Sequence, residues 1–185
     1  IEFLIERLKR CKLVDEIILA TTTNKEDNIL ESIGKKIGIK VIRGDNKDVL
    51  SRFYKASFEV SSNNIIRVTG DCPLIDPEII DLTIKEFNNK NYQYISNSFP
   101  ATFPDGLDVE IFEKSVLKEA HINSKKLVYR EHVTPWIREQ KSLRQGTLKS
   151  KVDYSYMRWT VDEPEDFEVI KFVVGKFDGN SCFSW

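Results

Sequence analysis

The sequence has little of several things that would announce a function. Its three cysteines, Cys11, Cys72 and Cys182, are odd in number and far apart, and no C-x-x-C pair occurs. Neither a zinc ribbon nor a disulfide framework is therefore expected, and a reducing cytoplasm is the default location. There are only two histidines, His121 and His132. No Ser-His-Asp spacing, G-x-S-x-G or Walker sequence is present, which leaves acyl transfer and P-loop chemistry without support. Excess charge of one sign is also missing. A formal net charge of -1 gives no electrostatic case for nucleic acid or an anionic membrane as a partner. No apolar run approaches the ~20 residues of a membrane span, and no charged-then-apolar signal segment opens the chain. The only methionine is Met157 and the first residue is Ile1. We therefore expect a piece of a longer product, entered in or at the start of an amphipathic helix marked by Ile1, Leu4, Ile5, Leu8 and Cys11.

What is present describes a soluble α/β protein. Over 185 residues, 41% are hydrophobic and 31% charged, enough apolar material for one domain with a sizeable core. We expect that domain over 1–177, with 178–185 as a tail that carries no helix pattern and is either frayed or an artefact of truncation. "VDEIILATT", "IKVIRG" and "NIIRVTG" read as strands, each followed by a helical pattern. Asp76 and Pro77 suit the N-cap and first turn of a helix whose buried stripe is Ile79, Ile80, Thr83, Ile84 and Phe87. "YQYISNS", "LDVEIF" and "MRWTV" are further expected strands, with an edge strand within 143–151. Helices are expected at 114–122, over an unbroken stretch 128–140, and from Pro164 to the end of the domain. Alternation of strand and helix predicts a parallel sheet with right-handed crossovers. Ligands of such sheets lie beyond the carboxyl ends of the strands. That rule singles out Thr21 to Thr23, Arg43 and Gly44, Gly70 and Asp71, Asn97 and Asp162.

Asp71 and Asp162 are the main candidates for chemistry. Each follows an apolar strand, "IIRVTGD" and "MRWTVD", and each precedes a proline by two residues. Two carboxylates on one rim repel unless a cation lies between them, and a hard divalent cation completed by water and phosphate suits such a pair. From the residues alone the alternative stays open that "GDCP" is a turn and "VDEPED" a helix cap. In "FPDGLDVEIF", Pro104, Asp105 and Gly106 have strong turn chemistry. Asp108 and Glu110 share one face of the following strand; they suit sugar hydroxyls, but solvation is the preferred reading. His121 reads as structural. Arg43 reads equally as a phosphate or base contact and as a solvated strand-end cation.

Four stretches, "RVTGDCPLIDP", "TFPDGLDVEIF", "REHVTPWIR" and "MRWTVDEPEDFEVI", resemble in order the cytidylyltransferase group that includes the spore coat polysaccharide biosynthesis protein F, related to CMP-sialic acid and CMP-KDO synthetases. The resemblance runs from about Leu4 to Phe177. It implies a nucleotide-diphospho-sugar transferase fold, Rossmann-like and of GT-A type, with a mixed, mostly parallel sheet between helices. It implies Mg²⁺-dependent attack of a sugar hydroxyl on the α-phosphate of CTP, with Asp71 and Asp162 as the metal aspartates. The nucleotide is then expected at Thr21, Thr22, Arg43, Gly44 and Gly70. The sugar, expected to be acidic, is assigned to Asn97, Asp105, Asp108, Glu110, Arg130 and His132. A homodimer is left open. The group's opening strand and its Gly/Arg/Lys-rich phosphate loop are not found in these residues, so the chain by itself is expected to be inactive. Two rivals remain: a glycosyltransferase of the same fold, weakened by the lack of an Asp-x-Asp triplet, and a non-catalytic homologue, weakened by the presence of both aspartates.

Overall fold

A computed structural model describes all residues, 1–185. In chain order the elements are α1 (Glu2–Leu8), β1 (Ile18–Thr22), α2 (Asn28–Ile37), β2 (Lys40–Gly44), α3 (Val49–Ala56), β3 (Asn64–Arg67), α4 (Pro77–Asn89), β4 (Tyr94–Ser96), β5 (Glu110–Glu113), α5 (Lys114–Asn123), α6 (Leu127–His132), α7 (Pro135–Glu139), β6 (Gln145–Thr147) and α8 (Pro164–Lys176). β1 and β2 pair in parallel, with Thr21 opposite Arg43. The remaining strands form a sheet in the order β3-β5-β4-β6. The expected α/β class, with mixed and mostly parallel sheets, is what the chain adopts. No helix is long and apolar enough to cross a membrane.

Two compact units emerge. The first comprises Ile1–Asp15, Ile66–Ile111 and Gly146–Trp185; the second comprises Glu16–Ile65 and Phe112–Gln145. In the first unit, Leu4 of α1 and Ile79, Ile80 and Phe87 of α4 pack with Ile75, Ile95, Phe103, Leu107, Val109 and Ile111. α4 begins as its sequence predicts. Asp76 is the N-cap, accepting from the Glu78 amide at 2.8 Å, and Pro77 opens the helix. In the second unit, Leu50, Phe112, Val116, Leu117, Ala120, Tyr129, Val133 and Ile137 are buried.

Four expectations need correction. The tail does not fray: Phe183 stacks on Phe177 with centroids 4.1 Å apart, and the Trp185 ring meets Phe103 and Tyr154 edge-on. The reason is Arg7, a fully buried side chain of α1. Its Nε donates to the Ile75 carbonyl at 2.7 Å and its Nη1 to the carbonyls of Ser181 and Phe183 at 2.7 and 3.1 Å. Its Nη2 makes no hydrogen bond and lies 3.6 Å from the Asp76 carboxylate. The stretch 128–140 is not one helix. It breaks at Val133, whose φ of 69° is far from helical and unusual for a β-branched residue. "MRWTV" forms no strand. The Asp105 amide donates to the Met157 carbonyl and the Trp159 amide to the Asp105 carbonyl, but the Val161 amide turns to Asp71, so no ladder on one partner continues. "LDVEIF" pairs as a strand only from Glu110, because the side chain of Asn97 bonds the Leu107 carbonyl and the Val109 amide where a ladder would run.

Candidate active site

The candidate residues fall in both units. Gly70, Asp71, Asn97, Asp105, Asp108, Glu110 and Asp162 lie in the first; Thr21, Thr22, Arg43, Gly44, Arg130 and His132 lie in the second.

In the first unit the loop after β3 carries Asp71, exposed, beside buried Cys72. The Asp71 carbonyl accepts from the Val161 amide at 2.8 Å and the Thr160 hydroxyl at 3.2 Å. The two residues that precede Asp162 are thus bonded to Asp71, and both aspartates stand exposed on adjoining segments. Gly70 faces open space, since a Cβ built there would meet nothing within 4 Å. The Cys72 thiol contacts the Thr69 hydroxyl and an Asp71 carboxylate oxygen. Burial, with Asp71 and Asp108 nearby, pushes it up to about 12, so it stays a thiol rather than a nucleophile.

Asp162 is set by the start of α8. Glu163 is the N-cap in a reciprocal capping box with Asp166. Asp166 Oδ2 also accepts from the Asp162 amide at 3.0 Å. Arg158 then gathers three carboxylates: Asp105 at 2.8 Å, Asp162 at 2.5 Å and Asp166 at 3.1 Å. Hydrogen bonds from Arg158, then from the amides of Asp162 and Glu163, hold the Asp166 carboxyl down to about 2. Neither Arg158 nor Asp166 stands out by residue type. The signal that finds them is spacing, since both lie four residues from Asp162 in "RWTVDEPED".

Asp105 opens the turn whose Gly106 is held at φ 103°, and a Cβ there would meet the Trp159 carbonyl carbon at 2.5 Å. Only glycine fits so close a backbone approach. Asp108 accepts from the Ser98 hydroxyl at 2.5 Å. Burial first, then the neighbouring Asp105 and Glu110, raise its carboxyl above the ordinary range. Glu110 is not solvated as the sequence suggested. It is 4% exposed, with one oxygen bonded by the Tyr94 hydroxyl at 2.6 Å and the other by Arg67 at 2.7 Å. Asn97 is buried and bonded to backbone on both ends of its amide.

In the second unit Thr21 and Thr22 are buried at the end of β1. The Thr22 hydroxyl and amide both bond Asp27. Arg43 donates from Nε to the Thr22 carbonyl, from Nη1 to Asn28 and Glu31, and from Nη2 to the Asn24 carbonyl. Gly44 accepts from the Thr23 amide at 3.0 Å, and a Cβ on it would press on Arg52. Arg130 forks onto both oxygens of Asp48, the N-cap of α3, at 2.9 and 2.6 Å. It also donates to the His121 carbonyl at 2.7 Å. His121 stacks on Tyr54, in keeping with its structural reading. His132, the last residue of α6, is exposed.

The donor chemistry of the first unit fits a hard divalent cation. Asp71 and Asp162 offer carboxylate oxygens, and no three His, Cys, Asp or Glu side chains converge as a self-sufficient metal cage. A hard divalent cation would take such exposed carboxylate oxygens, with water and phosphate completing its shell.

The chain is similar to several known proteins. The chain is 38% identical over 181 residues to an uncharacterised protein of Methanocaldococcus jannaschii, covering 96% of this chain and 73% of that one. It is 34% identical over 168 residues to the spore coat polysaccharide biosynthesis protein SpsF of Bacillus subtilis, covering 88% and 68%. A solved cytidylyltransferase from Leptospira borgpetersenii superposes with a TM-score of 0.92 at 33% identity, over 99% of this chain and 78% of that one. With the pattern of the cytidylyltransferase family matching residues 1–174, the chain belongs to that family.

Proposed function

We propose that this protein transfers the cytidylyl group of CTP to a sugar hydroxyl, giving a CMP-sugar and pyrophosphate for a surface polysaccharide or glycan. The observation that carries this reading is the bonding of the Asp71 carbonyl to the Val161 amide and Thr160 hydroxyl, which joins the two acidic loops of the first unit. Likeness to a spore coat polysaccharide biosynthesis protein supports a sugar acceptor.

The roles follow from the surroundings of each side chain. Asp71 and Asp162 would hold Mg²⁺, which supplies neutralisation of phosphate charge. The open space at Gly70 leaves room for a ligand beside Asp71. Asp108 has a carboxyl raised by burial, which suits it to accept the proton of the attacking hydroxyl. In the transfer the sugar oxygen bonds to the α-phosphorus, the bond from that phosphorus to the bridging oxygen of the β-phosphate breaks, and pyrophosphate leaves. Asn97 and Glu110 are engaged within the protein and hold the segment that carries Asp108 in place. Asp105 is exposed and available to an acceptor hydroxyl once Arg158 shares it.

The test is pyrophosphate release with CTP, Mg²⁺ and a panel of acidic and neutral sugars, by a protein that carries these residues together with the family's phosphate loop. Sugar-dependent release with CTP, exceeding that with UTP or ATP, is expected. Equal release with all three nucleotides, or none with any sugar, overturns the reading.

A further inference from the structure

Arg158 is the cation that gathers the exposed acids around Asp162. It is joined to Asp105, Asp162 and Asp166, so three carboxylates face one guanidinium and a surplus of two negative charges remains. That surplus attracts a further cation. Asp162 Oδ2 lies 2.5 Å from Arg158 Nη2, so the guanidinium already holds the carboxylate that a cation would share. Asp166 is held independently of this contact by the amides of Asp162 and Glu163, and Asp105 is held through Nη1. Arg158 can therefore give up Asp162 while keeping its other two partners.

We propose that Arg158 competes with the divalent cation for Asp162 and so weakens binding of the free ion. This rests on the assignment of Asp162 as a cation ligand. Two effects act in the same direction. The ion must displace an exposed ion pair, which is a modest cost, and it must then sit beside a guanidinium that repels it. Together they lower affinity for the free cation by about five- to tenfold. An anionic nucleotide arriving with the ion reverses the second effect, because a released guanidinium attracts phosphate. Cation and nucleotide then favour each other's binding, and the coupling is reciprocal.

The experiment is direct titration of Mn²⁺, reading the free ion by its EPR signal, without nucleotide and independently of turnover. Wild type, Arg158→Gln, Arg158→Lys, Asp162→Asn and the Arg158→Gln/Asp162→Asn double variant are compared, each checked for folding by circular dichroism. Arg158→Gln should bind Mn²⁺ about five- to tenfold more tightly than wild type. Arg158→Lys, which keeps the charge, should stay near wild type. The gain should vanish in the double variant. Equal or weaker binding by Arg158→Gln, with Asp162-dependent binding intact, overturns the competition and leaves the metal assignment standing. If Asp162→Asn binds Mn²⁺ as wild type does, the metal assignment itself falls and takes the competition with it.

Discussion

The amide of Val161 donates to the carbonyl oxygen of Asp71 at 2.8 Å, so the segment leading into one candidate aspartate is hydrogen-bonded to the other. If the two act as one unit, their losses should not add. We expect Asp71→Asn and Asp162→Asn each to lower turnover by about 10²–10³, and the double variant to be little worse than either single one. Steady-state pyrophosphate release on all three variants, made in a protein that also carries the family's phosphate loop, measures this. Multiplicative losses would show two independent sites.

Two glycines should respond in opposite ways. Gly106→Ala meets both an unfavourable φ and the backbone of Trp159 and Thr160, so it should cost at least about 1–3 kcal/mol. That corresponds to a fall of several degrees in Tm, read by calorimetry. Gly70→Ala enters open space and should alter stability by less than about 0.5 kcal/mol. If Gly70→Ala also binds CTP normally, the space beside Asp71 is not the nucleotide's.

The family resemblance assigns Glu110 and Arg130 to the sugar, yet each has protein partners. Glu110→Ala removes the buried carboxylate that Tyr94 and Arg67 both bond, with an expected loss of about 2–4 kcal/mol. Arg130→Ala removes a forked pair from Asp48 that is partly open to solvent, which limits the loss to about 1 kcal/mol. Urea denaturation measures both. Unchanged stability with weakened sugar binding would return either residue to the acceptor site.

His121 should make stability depend on pH. Burial, then the adjacent Arg130, lower its pKa, while Asp48 opposes them. The folded protein therefore binds fewer protons than the unfolded chain just below the ordinary histidine value of about 6.5. Stability should be full above that value and fall as pH drops through it, and His121→Gln should flatten the slope. An unaltered slope between pH 5 and 7 in that variant rules out His121 as its source.

Much of this arrangement was legible in local sequence. Asp76-Pro77 wrote the start of α4, and Pro164 the start of α8, because capping and the fixed φ of proline act within a few residues. The acidic candidates could be found because they follow apolar runs. What escaped depended on partners distant in sequence. Nothing near Glu110 says that Tyr94 and Arg67 will bury it. The tail has no periodicity, and its order comes from Arg7. The break at Val133 was hidden because Tyr129, Val133 and Ile137 keep a helical spacing and are all buried anyway. Arg158 was overlooked because an arginine beside acids resembles an ordinary solvated pair until its three contacts are seen together.

The buried Arg7 has a consequence for conditions of use. Its guanidinium holds the Ile75 carbonyl, at the far end of the loop that begins with Asp71, and it has no exposed surface. Mobile ions cannot reach it, and an arginine keeps its proton throughout the working range. Arg158, nearly half exposed, is open to screening by dissolved electrolyte. Raising ionic strength should thus loosen the acidic end of the first unit while leaving the seat of the Asp71 loop where it is, so that brine and fresh buffer differ in how the aspartates are dressed and not in where Asp71 stands.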